Sequence, residues 1–535
     1  MPEASSYTIP LSVQRLVKAV KRQHTLEEES EHVQKFKISE AISRVAFVYE
    51  KVRNSLDYKE EHLLVKSTIL RILKRRFVPG VDPASIARPL VIELIRGGYI
   101  RNNTLPEATV EEAAKTMVKY ARFLNKAIPP LEGRQREETF EWCLTMLACE
   151  LEEVLSPAPH KDGMIEFVYV TMLERIDILS KRITEDERKV LIYTAVLKAY
   201  PQFDLDLTAY NLLKYFYPDW KEGKEDTLNR VARNVLNVRS TIDKQVKNPL
   251  QERLVRQMRK INILFVVLSD WLSKETDPMA LLQNPEKLAE AIEETTNQRY
   301  KKVKIKLRRT SLRSIIYLFI TKMMLALIIE LPYDYFVYGH LNYLPLGVNV
   351  IFHPMLLFVI ALAVHIPAKA NTMKIIEGVK DLVYSYEGKE IVYRIRPVLT
   401  RGWFVNLVFR LLYLTAFVIT FGGLIVILTG LGFNWVGIAL FTVFLTLVSF
   451  FGLRVRQMAK DLVVLDRREN FISVVIDFFA IPIVRAGRMI SVNFSKINVF
   501  VFVLDVIIEA PFKLIVDVFE DWFAYMREKR EEIYD

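Results

Sequence analysis

Arg299-Tyr300-Lys301-Lys302-Val303-Lys304-Ile305-Lys306-Leu307-Arg308-Arg309 leads into Ser314–Leu331, an apolar run whose only charges are Lys322 and Glu330. Three more apolar runs follow, Val348–Ile366, Phe404–Leu428 and Trp435–Gly452. A hydrocarbon layer of roughly 30 Å needs about 20 mostly apolar residues as helix. Each run comes near that length or exceeds it, so the stretch predicts four membrane-spanning helices.

The flanks give these spans a direction. The segment between the first two, Pro332 to Leu346, has no Lys or Arg and is rich in Tyr, and Gly430-Leu431-Gly432-Phe433-Asn434 between the last two is uncharged. Basic residues crowd the other ends. They are Lys301, Lys302, Lys304, Lys306, Arg308 and Arg309 before the first span, Lys369 to Arg401 in the 368–402 linker, and Arg454, Arg456 and Lys460 after the fourth. Positive charge stays on the cytoplasmic side, so a multi-pass plasma-membrane protein with both termini in the cytoplasm is expected. Anionic lipid headgroups are the expected partners of the basic flanks.

Inside the spans, Lys322 is the outlying residue. A charge at bilayer depth costs roughly 2.5–3.5 kcal/mol on insertion scales, which makes intramembrane ionisable groups functional candidates. Glu330, His353 and His365 are its candidate partners; a pair-stabilised or snorkelling lysine is the plainer alternative. Arg410, about two turns into the third span, is better explained by snorkelling to the headgroups. Gly422-Gly423 in the same span predicts a close helix contact.

Beyond Lys460 the charge pattern points away from further spans. Phe471–Val484 is short and holds Asp477 and Pro482, whereas Asn498–Ala510 is interrupted by Asp505 and Glu509. Asp505, Glu509, Lys513 and Asp517 share one helical face. Residues 461–535 are therefore expected to form amphipathic helices in the plane of the membrane interface.

Before the membrane block the chain reads as helices. Val13, Leu16, Val17 and Val20 make one apolar stripe, and Ile38, Ile42, Val45, Tyr49, Val52 and Leu56 make another at i, i+3, i+4, i+7 spacing. Pro129-Pro130 suggests a division into subdomains 1–127 and 128–300, ahead of a membrane domain over 301–460. Ile391–Ile395 is the best candidate for an extended segment. The predicted fold class is all-α, a large cytoplasmic helical domain joined to a four-helix membrane domain.

The charge of +11 and apolar content of 51% fit this segregation, so lipid explains the basic excess better than nucleic acid does. Cys143 and Cys149 lie six apart on one helix and cannot pair. No basic n-region followed by an apolar h-region opens the chain, so no cleavable signal peptide is expected. Glu29-x-x-His32 lacks the second motif that a di-iron bundle needs. Asp204-Leu205-Asp206 reads either as a phosphate–metal pair or as a helix cap. Arg71 with Lys74-Arg75-Arg76 could meet lipid or partner, or be a solvated helix end. Nucleotide-binding, zinc-protease and hydrolase signatures are absent, and no cofactor is implied. A membrane-bound scaffold that binds protein partners ranks first. A small transporter or channel built on Lys322 and the span-two histidines ranks second, and an enzyme for lipid-linked substrates third. Homo-oligomerisation stays open.

Overall fold

The computed structural model describes residues 9–496 apart from 32, 38–60, 79, 181–182, 276, 340–342, 365–368, 385–391, 397–401, 461 and 465–470. The stripe over residues 38–56, His365 and the Asn498–Ala510 segment fall outside the described residues. The fold is all-α, and the chain divides into two compact units, Leu11–Val255 with Ile391–Ile395, and Arg256–Glu390 with Arg396–Lys496.

The first, the helical unit, holds α1 (Leu11–Glu31), α2 (Glu61–Arg76), α3 (Ala87–Arg96), α4 (Glu107–Ala127), α5 (Gly133–Leu155), α6 (Pro159–Arg175), α7 (Glu185–Ala199), α8 (Leu205–Phe216), α9 (Glu225–Arg233) and α10 (Val235–Val246). One core runs through it, from Ile69 and Leu73 of α2 and Phe123 of α4 to Leu147 of α5, Leu212 of α8 and Ile242 of α10. The division expected at 127/128 therefore cuts through a single core, because Pro129-Pro130 turns the chain without separating its apolar faces. The stripe Val13, Leu16, Val17 and Val20 is buried as its spacing requires. Where α1 meets α6, a Cβ at Gly163 would lie 2.5 Å from the Ala19 Cβ, too close for packed carbons. Thr184 and Glu187 form a reciprocal capping box at α7, satisfying N–H groups that no helical partner reaches. α6 ends at Arg175, and β1 (Ile176–Ile178) pairs in parallel with β2 (Tyr393–Ile395). The second strand is the extended segment the sequence predicts.

The second unit begins within α11 (Leu250–Leu272) and adds α12 (Pro278–Leu282), α13 (Pro285–Leu325), α14 (Tyr343–Ala363), α15 (Lys369–Val383), α16 (Trp403–Gly430), α17 (Trp435–Lys460) and α18 (Phe471–Lys496). Four stretches, Pro285–Val337, Tyr343–Ala363, Trp403–Gly430 and Trp435–Gln457, are long and apolar enough to cross a membrane, which marks a membrane protein. α17 is the central span. Its most apolar stretch is 44% buried, against 11% for that of α16.

A layer of helices outside the spans is tied to them within the same unit. Asn284 caps α13 by accepting from Glu286 and Lys287 N–H at 3.0 and 3.2 Å, and Arg299 of α13 pairs with Asp270 of α11. Gly378 of α15 sits so near Leu264 that a Cβ would come within 2.8 Å of it. Asn371 donates to Tyr300 Oη at 2.8 Å and to the Leu462 carbonyl at 2.9 Å, and accepts from Val464 N–H at 2.9 Å.

The structure departs from the sequence reading at three places in this unit. Pro332 does not end the first span. Wide i→i+5 turns over Ala326–Glu330 and Asp334–Tyr338 flank it, and such turns relax the hydrogen-bond ladder that proline would otherwise break. The helix stops at Gly339, whose φ of +71° suits glycine. Next, a Cβ at Gly422 or Gly423 would meet nothing within 4 Å, so the expected close contact is not made among the described residues. Finally, α18 joins the bundle. Gly487 lies against the Thr446 carbonyl, a place any side chain would fill, and the Arg485 guanidinium stacks over the Tyr413 ring of α16 at 4.9 Å. Thr446 is near the middle of α17, so Phe471–Lys496 packs against the spans instead of resting alone in the interface plane.

Candidate functional site

A polar cluster is built inside the membrane bundle from α13, its continuation, α14 and α17. Lys322 and His353 are fully buried, as is Asn349, and Glu330 and Asp334 are only 2% and 7% exposed. On a regular helix Glu330 would lie about 80° round from Lys322 at 3.6 residues per turn. The wide turn over Ala326–Glu330 takes in an extra residue and swings Glu330 back toward the lysine's face.

Asn349 and His353 are four residues apart on one face of α14. The Asn349 Nδ2 donates to both Glu330 carboxylate oxygens, each at 2.8 Å. The two imidazole nitrogens of His353 face carbonyl oxygens, Asn349 O at 3.1 Å from Nδ1 and Phe441 O at 3.0 Å from Nε2. That ring thereby links α14 to α17, and it packs edge-on against Phe441 with centroids 4.6 Å apart. The Lys322 ammonium stands 4.5 Å from the centre of the Phe444 ring, a cation–π contact, and within electrostatic range of Glu330. Among the described residues its Nζ has no hydrogen-bond partner, and neither has Asn349 Oδ1.

The cluster extends toward the uncharged end of the bundle. Asn434 donates to Asp334 and accepts from Gly437 N–H at 2.6 Å, capping α17. A Cβ at Gly437 would come 3.2 Å from Glu330 Oε1, so glycine leaves room for the carboxylate. From Lys322 to Asp334 the polar positions cover about 18 Å at 1.5 Å per residue, more than half of a hydrocarbon layer of roughly 30 Å. Toward the basic end the polar positions give way to Leu357 and Val448, which pack with Phe444 and Ile315 into an apolar seal.

The candidates from the sequence thus separate. Lys322, Glu330 and His353 come together, and Arg410 lies exposed on α16 away from them. Lys301, Lys302, Lys304, Lys306, Arg308 and Arg309 form an exposed collar on α13, while Leu307 between them packs with Val455 and Ala459 of α17. Asn349, Asp334 and Asn434 are not among the candidates the sequence singles out. The i, i+4 relation of Asn349 to His353 is present in the sequence, but a neutral amide alone marks no site.

Outside the bundle, the other motifs are absorbed by structure. Asp204 caps α8, and with Asp206 it holds the buried Lys66 ammonium. Lys74 pairs with Glu141, and Arg75 and Arg76 both pair with Glu93, so that patch is engaged within the chain. Cys143 and Cys149 are free and buried; burial pushes both thiols up, away from the reactive thiolate. The helical unit also has a cleft of about 1070 Å³. One wall is the α1 face of Arg15, Lys18 and Arg22, and Glu150, Glu153 and Asp162 contribute acid to the lining.

No family model, curated protein or solved structure matches the chain. Its function is therefore argued from these sites.

Proposed function

We propose that the chain is a membrane-anchored platform, with both termini and the helical unit in the cytoplasm and the cationic collar bound to anionic headgroups of the plasma membrane. The observation that carries the reading is α13. It continues unbroken from its cap at Asn284, through the collar, into the first span. Packing of α11, α12 and α15 against the part of α13 before the span makes a layer that would hold attached partners beside the bundle. The charge-lined cleft beside α1 supports protein partners as its occupants. A second reading, transport or gating through the bundle, is favoured by the Lys322 cluster.

Orientation is tested with cysteines. Cys143 and Cys149, the only two in the chain, are at most 1% exposed, so background labelling is low. Leu431→Cys at the exposed turn between α16 and α17 is expected to react with an impermeant maleimide on intact cells. Lys301→Cys is expected to react only after permeabilisation. The reverse pattern would overturn the orientation.

The collar makes a second prediction. Each juxtamembrane cation is worth about 1 kcal/mol near an anionic surface. Thermal stability in nanodiscs should therefore rise when anionic lipid replaces zwitterionic lipid, and salt should erode the gain. Changing Lys301, Lys302, Lys304 and Lys306 together to Gln should remove most of it. An undiminished gain in that variant would exclude the collar as the lipid contact.

A further inference from the structure

We propose that Glu330 is a proton-binding carboxyl inside the membrane bundle, with Asn349 as the hydrogen-bond acceptor of its protonated form and Lys322 and Asp334 as the charges that set its occupancy. This goes beyond the platform reading and stands without it.

The first argument is the charge sum. Two buried carboxylates, Glu330 and Asp334, face one buried ammonium, Lys322. An interior that solvates ions poorly favours neutrality. One proton added to a carboxylate closes the sum, forming an O–H bond and breaking none within the protein. Among the described residues, the surrounding helices supply no other carboxylate, ammonium or guanidinium to the cluster. From α14 comes His353, which shares the Phe444 ring with Lys322; a second buried cation there is costly, so the imidazole is neutral and donates its one N–H to one of the two carbonyls it faces. Asn434 and Thr446 do not ionise. Arg410 of α16 and Arg485 and Arg488 of α18 are exposed, and Arg485 stacks on Tyr413.

The second argument is hydrogen-bond supply. Asp334 already accepts from Asn434, whereas both Glu330 oxygens share the single Asn349 amide nitrogen. Among the described residues the Oδ1 of that same amide is buried without a donor. A carboxylic acid has one O–H to give, and a carboxamide presents one donor and one acceptor side by side. Protonated Glu330 can keep one bond from Nδ2 and donate its new O–H to Oδ1, pairing acid with amide. The ionised form leaves Oδ1 unsatisfied, an expensive condition in a buried site. A proton satisfies both the charge sum and the orphan acceptor. A metal cation would supply charge and could take Oδ1 as a ligand, and the comparison of sodium with choline separates it from a proton.

Difference infrared spectroscopy on the full chain in nanodiscs tests this. Acidification is expected to produce a protonated-carboxyl C=O band that is lost in Glu330→Gln and moves toward the free-acid frequency in Asn349→Val. Asp334→Asn should also abolish the band although Glu330 remains, because Lys322 then balances a single carboxylate; a merely structural Asp334 would not do this. Circular dichroism verifies that each variant is folded, and Asp334→Asn decides the case if Glu330→Gln does not fold. The band should be the same in sodium and in choline buffers. A band that survives in Glu330→Gln or in Asp334→Asn overturns the proposal. Suppression of the band by sodium overturns it in favour of a cation site.

Discussion

Glu150→Ala is expected to open the helical unit more than any other single truncation of a polar side chain there. Glu150 is 3% exposed and is the hub of a buried network. Its carboxylate accepts from the Lys119 ammonium, from Tyr120 Oη at 3.0 Å and from Trp220 Nε1 at 3.1 Å. Lys119 in turn donates to the Trp220 carbonyl at 3.2 Å, so three segments distant in sequence meet on one carboxylate. Burial alone pushes the Lys119 ammonium down, and Glu150 opposes that shift by favouring the charge. Alanine would leave the buried Lys119 ammonium with only the Trp220 carbonyl and the indole N–H with only Tyr120 Oη, and would take the acceptor from the Tyr120 hydroxyl. Breaking a buried pair by removing one partner costs about 3–5 kcal/mol. Tyr120, Phe123 and Trp220, which pack edge-to-face with centroids 5.1 to 6.4 Å apart, would lose the anchor that orients them.

The two cysteines supply the readout. Both lie in α5 with Glu150 and are buried, so a thiol reagent reaches them only when the unit opens. Since about 1.4 kcal/mol is a factor of ten, labelling of the full-length variant should accelerate by two to three orders of magnitude. A charge-free double variant, Lys119→Met with Glu150→Gln, should cost less than the two single changes added together, because neither partner is then left charged. Additive costs would show that the pair is not coupled and that the network is misread.

What could be read from the sequence follows from which interactions are local. The spans were legible because twenty apolar residues in a row have few alternatives. Lys322, Glu330 and His353 were legible because ions and imidazoles are rare in such runs. Asn349 was not, since a neutral amide raises no alarm until its partner is known to be a carboxylate on another helix. The wide turns that bring Glu330 onto the lysine's face have no period in the sequence to announce them. The same limit explains α18. Asp477 and Pro482 set it apart from the four apolar runs, but its seat depends on Gly487 meeting the Thr446 carbonyl, a contact between segments forty residues apart. In the helical unit, Pro129-Pro130 was read as a boundary because proline marks turns well and says nothing about whether the faces on either side share a core.

Two residues along α5 from Glu150, Glu152 should behave in the opposite way. Burial pushes its carboxyl from an ordinary 4.5 up to about 7; nearby Lys161 and Lys66 oppose the shift, and Asp204 and Glu153 add to it. Its Oε2 has no hydrogen-bond partner among the described residues. A folded-state value above the unfolded one means that the native state holds this proton more tightly. Below about pH 4.5 the group is protonated in both states and costs nothing. As pH rises from there to about 7 the unfolded chain releases its proton first, so stability falls, and above 7 the full cost applies. At 1.36 kcal/mol per unit that cost is about 3 kcal/mol. Glu152→Gln should remove most of this slope. Its thiol labelling, corrected for the thiolate fraction with a free thiol, should match the parent near pH 4.5. At pH 8 it should be slower than the parent by about two orders of magnitude, the kinetic equivalent of that energy. Equal labelling of parent and variant at pH 8 would mean that Glu152 is ionised without penalty. The contrast has one physical origin: both carboxylates lie in the same helix, but Glu150 has a buried cation and two donors in contact, and Glu152 has only cations too distant to donate a hydrogen bond.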